Sequence, residues 1–165
     1  MRAAIAVSNH SDLRERVLAY LAGRTVLNLA TYGPGGLWAS AVLYVNDGTH
    51  LYFTSVESTR HGQNLVATGH VAGTISDECR AWEAMKGLQL EGAVELVTDV
   101  DERLRVVRAY LERFPFAVGL WQGESDPAVI ACTPGIHGFY RITPSRLLFT
   151  DNEHAPGVRE ELVGD

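Results

Sequence analysis

A small β-barrel of the α+β kind is the fold this sequence predicts, on three observations. Short apolar stretches alternate with turn signals, of which Gly33-Pro34-Gly35-Gly36 and Asn46-Asp47-Gly48 are the clearest. Helical periodicity is confined to a few segments, mostly at the margins of the strand-rich part. The chain shows no repeat, low-complexity tract or linker, so residues 1–165 read as one domain.

The first element is a helix over 12–21, where Asp12 can cap and Glu15 can complete a capping box. Leu13, Val17, Tyr20 and Leu21 share its apolar face. Strands follow over 25–32, 37–45 and 50–55, separated by the two turns. The middle one is apolar on both faces, with Leu37, Ala39, Ala41 and Leu43 on one and Trp38, Val42 and Tyr44 on the other. Such a strand lies centrally in a barrel or at an interface. A short helix over 58–68 leads to a strand over 70–76. The strand over 85–97 turns Leu88, Leu90, Val94 and Leu96 one way and Gln89, Glu91 and Glu95 the other. Gly92 within it marks a bulge or a close backbone approach. The clearest helix covers 99–113, with Asp99, Asp101 and Glu102 at its start and Arg113 at its end, as the helix dipole favours. Val100, Leu104, Val107 and Leu111 form its stripe, and Pro115 stops it. Residues 116–135 fit no single pattern, and 137–142 with 145–150 read as a closing pair of strands.

Composition excludes several functions. No apolar run reaches the length of a membrane span, and MRAAIAVSNHSD makes a poor signal peptide, so a cytoplasmic location is expected. Without a secretion signal the sequon Asn9-His10-Ser11 reads as chance. Cys79 and Cys132 stand far apart and read as reduced thiols. A net charge of −6 argues against nucleic-acid binding but leaves room for one locally basic pocket. Lys86 is the single lysine among 14 basic residues, and this arginine bias hints at a GC-rich bacterial genome. The six histidines form no close pair, which argues against a metal site.

The stretch TSVESTRHGQNL, residues 54–65, is the best candidate for chemistry. Thr54, Ser55, Ser58 and Thr59 supply hydroxyls, and Arg60 supplies a guanidinium fork suited to two phosphate oxygens. His61 adds a second nitrogen donor. A helix starting near Ser58 would point its free N–H groups at the same place. Taken alone, the stretch is equally compatible with ordinary helix capping by Ser-Thr and a solvated Arg-His pair.

The wider pattern favours the anion reading. Leu29-Ala30-Thr31, Trp38-Ala39-Ser40-Ala41-Val42, Leu51-Tyr52-Phe53-Thr54, Ser58-Thr59-Arg60-His61 with Asn64-Leu65, Val71-Ala72-Gly73-Thr74-Ile75 and Leu88-Gln89-Leu90-Glu91-Gly92 occur in order. From about Val26 to Asn152 the sequence resembles the flavin-binding split-barrel family typified by pyridoxamine phosphate oxidase. Thr59-Arg60-His61, Arg113-Phe114-Pro115 and Phe149-Thr150-Asp151-Asn152 are similar to an uncharacterised bacterial subgroup of it. The resemblance implies a split β-barrel of about six to seven antiparallel strands with peripheral helices. It also implies a homodimer with FMN at the subunit interface. The cofactor phosphate would meet Thr59, Arg60 and His61. The ring would lie along Ala41, Val42 and Leu43 and along Phe53 and Thr54, Ser55 would be a further cofactor-binding residue, and Gln89 of the second subunit would close over the ring. Lys86 is a further residue within reach, though a surface lysine is the plainer reading.

Two departures from the family pattern bear on function. The tail from Phe149 to Arg159 lacks the arginine- and histidine-rich run with which the oxidases hold their substrate's phosphate, so oxidation of pyridoxamine phosphate is not implied. His61 stands where many relatives carry lysine. The leading expectation is an FMN-dependent oxidoreductase acting on a small molecule, with the cofactor supplying the reactivity. The alternatives are a deazaflavin-dependent reductase and a non-catalytic flavin or haem protein, for which His137 and His154 would be the first haem ligands.

Overall fold

The computed structural model describes residues 4–6, 10–133 and 137–163 of the chain; Asn9 of the sequon lies outside them. Eight strands form one sheet: β1 (Ala4–Ala6), β2 (Val26–Gly33), β3 (Gly36–Asp47), β4 (His50–Val56), β5 (His70–Ser76), β6 (Lys86–Leu96), β7 (His137–Asp151) and β8 (Val158–Val163). Among the described residues four α-helices accompany them: α1 (His10–Ala22), α2 (Arg60–Thr68), α3 (Val100–Arg113) and α4 (Pro127–Cys132). The pairing runs β7-β4-β3-β2-β5-β6 and returns from β6 to β7, which closes a barrel of antiparallel strands. Strand β8 adds to the outer part of β7, and β1 pairs with β8 in parallel. Closure removes the exposed edges that an open sheet of this size would carry.

Strict alternation explains why β2 and β5 sit as they do. Leu27 and Leu29 of β2 and Val71, Gly73 and Ile75 of β5 face into the barrel, while the alternate residues Asn28, Ala30, Ala72 and Thr74 are exposed. Helix α1 plugs one end with the face the sequence predicts, burying Leu13, Val17, Tyr20 and Leu21 in the same cluster as Phe53 and Phe149. Helix α3, a 3₁₀ turn at Pro115–Trp121 and α4 cover one outer wall, over Val45, Tyr52 and Phe139. Trp121 stacks on Phe139 with ring centroids 5.7 Å apart. The outer face of the opposite wall, formed by β2, β5, β6 and the first half of β3, carries no helix among the described residues. It exposes Tyr32 and Leu37 beside Ala30, Ala39 and Ala72. A cleft of about 730 Å³ runs over it between Tyr32, Leu37, His70 and Glu91.

Several expectations need correction. The closing pair of strands is one strand, β7, and its continuity depends on β6. The β6–β7 register shifts between Glu91 and Gly92, opposite Pro144, whose missing N–H would otherwise break the ladder. A Cβ on Gly92 would come within 2.7 Å of the Pro144 Cα, so the bulge needs glycine. Strands β1 and β8 were not foreseen. Helix α1 starts at His10, so Asp12 lies in its first turn and bonds Arg16 Nε at 3.0 Å instead of capping. Helix α3 buries Val106, Val107 and Tyr110, one step round from the predicted stripe, because Tyr110 packs among Phe114, Trp121 and Phe139. Val100 and Leu96 are exposed. Asp99 does cap α3, accepting from the Glu102 amide at 2.8 Å.

Replacing Gly92 with valine forces a side chain onto the Thr143–Pro144 backbone. The expected cost is at least about 2 kcal/mol, as for other overpacked sites. A thermal melt should show a drop of several degrees, and an unchanged midpoint would contradict the bulge.

Candidate functional site

One barrel seam parts midway beside a helix start. Strands β3 and β4 pair only from Tyr44↔Phe53 to Asp47↔His50. Carried further, that register would set Val42 against Ser55 and Ser40 against Glu57, yet neither pair forms. The β3 residues Ala41–Leu43 therefore keep their pairing with β2 and present their other edge to an opening. The far side of the opening is the end of β4 and the start of α2. The expected site residues on the three segments 41–43, 53–55 and 59–61 thus flank one gap.

Helix α2 begins where it does because Thr59 is an N-cap. Its hydroxyl accepts from the Gly62 amide at 3.0 Å and donates to the Val56 carbonyl at 2.7 Å. That hydroxyl is committed to the helix. Gly62 lets the 56–57 turn press against the first helical turn, since a Cβ there would meet the Glu57 carbonyl at 2.8 Å. Among the described residues the backbone N–H groups of Arg60 and His61 donate to no acceptor. These are the open donors of a helix N-terminus, where the dipole favours an anion.

Ser55 is buried and its Oγ lies 2.6 Å from His61 Nε2 and 3.3 Å from Thr59 Oγ1. Burial pushes the His61 imidazole below its ordinary pKa, so the ring is neutral near pH 7. Ser40 Oγ is buried on β3 beside the gap with no partner among the described residues. Phe53 is fully buried and stacks on Tyr140 at 5.4 Å, so only its backbone can meet a ligand. Val42 is buried, whereas Ala41 and Thr54 are accessible, and Thr54 Oγ1 donates to the Gly138 carbonyl at 3.1 Å.

The Arg60 side chain points elsewhere. Its Nη2 donates to the carbonyls of Gly35 and Leu37, and its guanidinium lies 4.5 Å from the Trp38 ring centroid. An exposed cation–π contact contributes about 0.5–1 kcal/mol and an exposed neutral acceptor about 1 kcal/mol or less. A charge-assisted fork to phosphate is stronger than either. Gln89 is exposed on β6, on the uncovered wall and away from the cluster in the same chain. Lys86 is not a free surface lysine: its Nζ lies 2.7 Å from the buried Asp151 carboxylate. His137 opens β7 and His154 follows its end. At about 3.3 Å per residue, a strand of 15 residues keeps them at opposite ends of the barrel, so one haem in one chain cannot take both.

Sequence reading missed the Ser55–His61 pair and the unpartnered Ser40. The apolar run around Phe53 hid the first, because nothing in it shows that β4 leaves its neighbour.

Because the folded-state pKa of His61 is lowered, the unfolded chain binds its proton more readily. The stability this ring contributes is complete above the unfolded value near 6.5 and erodes as pH falls below it toward the lowered value. Urea midpoints at pH 7.5 and 5.5 should fall further in the wild type than in His61→Gln. Equal falls would remove the buried neutral imidazole.

A protein-family model, pyridoxamine 5'-phosphate oxidase (PNPOx_N), matches residues 13–135. The chain is 31% identical over 148 residues to the UPF0306 protein YhbP of Salmonella paratyphi A, spanning 88% of this chain and 90% of that one. Among solved structures it superimposes on a heme binding protein from Mycobacterium smegmatis with a TM-score of 0.70 at 20% identity, over 96% of this chain and 60% of that one. A FAD-binding protein from Mesorhizobium loti aligns with a TM-score of 0.61 at 18% identity, over 81% and 90% of the two chains. Among the described residues no helix is long and apolar enough to cross a membrane.

Proposed function

From a chain that belongs to the pyridoxamine 5'-phosphate oxidase family, we propose a flavin mononucleotide-dependent oxidoreductase that acts on a small molecule as a homodimer. One observation carries this reading. Strands β3 and β4 separate midway beside a helix N-terminus with two open amides, the Ser55–His61 pair and a Ser40 hydroxyl with no partner among the described residues. That donor set fits a phosphate and the polar rim of a flat heterocycle.

In this reading the amides of Arg60 and His61 hold the phosphate, and Thr59 fixes the helix start that aims them. The open edge of β3 at Ala41–Leu43 and the accessible Thr54 orient the ring. A second copy covers the uncovered wall, where Leu37 is 79% exposed, and brings its own Gln89 toward the opening. The bound flavin supplies hydride transfer, and the chain's part is to bind, orient and exclude water. Because an anion favours the charged imidazole, His61 takes up a proton as phosphate binds, and affinity rises as pH falls from 8 toward 6.5.

The test is a titration with FMN and with riboflavin, which lacks the phosphate. FMN should bind at least about tenfold tighter, as expected for charge-assisted bonds to an anion. His61→Gln should flatten the pH dependence of FMN affinity and leave riboflavin untouched. Equal binding of the two flavins removes the phosphate site. Retention of a deazaflavin or haem in place of FMN replaces the cofactor. A bound flavin that neither NADH nor NADPH reduces favours storage or sensing over catalysis.

A further inference from the structure

We propose that Arg60 is a two-position switch that couples anion binding at the start of α2 to the β2–β3 hairpin; this rests on the anion reading above. The same residue serves two places. Its backbone N–H is one of the two open amides at the helix start. Its side chain is turned back onto the hairpin, where Nη2 holds the carbonyls of Gly35 and Leu37 and the guanidinium covers the face of Trp38 at 4.5 Å.

Helix α2 ties the hairpin down twice, and the ties differ in kind. Asn64 is buried and donates to Thr31 Oγ1 at 3.1 Å, near the base of the turn. The Arg60 tie is exposed and reaches only the tip. Releasing it frees the tip and leaves the base attached. Space for the movement exists: a cleft of about 560 Å³ between hairpin and helix is lined by Gly35, Ser58, Arg60 and Gln63.

The present partners of the guanidinium are two neutral carbonyls and a ring, whereas an anion at the amides of residues 60 and 61 offers full charge and paired oxygens. Arginine prefers the second where both are within reach. When the side chain crosses over, Trp38 loses its cation and the carbonyls of Gly35 and Leu37 lose their donor. Leu37 belongs to the uncovered wall, so occupancy of the anion site is relayed to the surface that the proposed second copy covers. The parked position also competes with the ligand, and a competing resting state lowers apparent affinity by the fraction it occupies.

A counterintuitive outcome follows. Trp38→Leu should bind inorganic phosphate tighter than the wild type, by roughly two- to fivefold, the worth of an exposed cation–π contact. In an Arg60→Ala background the Trp38→Leu gain should vanish. With Trp82 and Trp121 replaced by phenylalanine, Trp38 emission should change saturably with phosphate, in step with the binding heat, and Arg60→Lys should shrink the change. Phosphate binding with constant Trp38 emission and no gain in Trp38→Leu overturns the switch and leaves the anion site standing. If neither phosphate nor FMN binds the wild type, the anion reading fails and the switch falls with it. Melting curves of each variant separate these outcomes from misfolding.

Discussion

The interruption of the β3–β4 ladder is the constraint on which the rest depends. A strand edge left unpaired inside a closed barrel exposes backbone groups that burial cannot tolerate and that water, a side chain or a ligand must satisfy. Here the start of α2 moves into the space where the ladder would have continued. It brings its own unsatisfied amides with it, so the opening gathers polar groups from both sides. The apolar surroundings, Phe53 above all, hold those groups in place without competing for them. A site of this kind is polar because the fold leaves it incomplete.

The outer walls of the barrel divide the remaining labour. Helices α3 and α4 cover the wall around Tyr52 and Phe139 with aromatic packing, and Glu102 of α3 binds both the Tyr52 hydroxyl at 2.9 Å and Arg141 at 2.7 Å. The other wall has small residues where a helix would need large ones. Alanines at 30, 39 and 72 give a flat surface, and Tyr32 and Leu37 project from it. Large exposed apolar side chains on a flat, weakly polar sheet are the ordinary mark of a surface that packs against something.

Two of the three motifs shared with the bacterial subgroup, those at 113–115 and 149–152, are clamps in the scaffold. Arg113 reaches back from the end of α3 to the carbonyls of Ala22 and Arg24, at 2.7 and 2.6 Å, and so anchors α3 to the α1–β2 turn. Asn152 holds the Trp82 carbonyl at 2.7 Å and the Gly157 amide at 3.1 Å, and buried Asp151 takes Lys86. These contacts fix the end of the barrel that α1 plugs and tie the end of β7 to the start of β6.

The sequence determined what local periodicity and turn chemistry can determine. Turn signals bounded β2 to β4, two-residue alternation marked most of β6, Gly92 marked the irregularity opposite Pro144, and the apolar face of α1 was legible to the residue. The segments 41–43, 53–55 and 59–61, which flank the opening, were named together because they belong to a family pattern. The tertiary structure decided the rest, and for a common reason: each outcome depends on a partner distant in the chain. Whether 137–151 is one strand or two depends on β7 bulging at Ser145 where Gly92 of β6 faces Pro144. Which face of α3 is buried depends on Phe139, 29 positions beyond Tyr110. That Arg60 lies against Trp38, and that Ser55 meets His61 in a gap, depends on two neighbouring strands parting after Tyr44↔Phe53, and no local pattern in either strand encodes that parting.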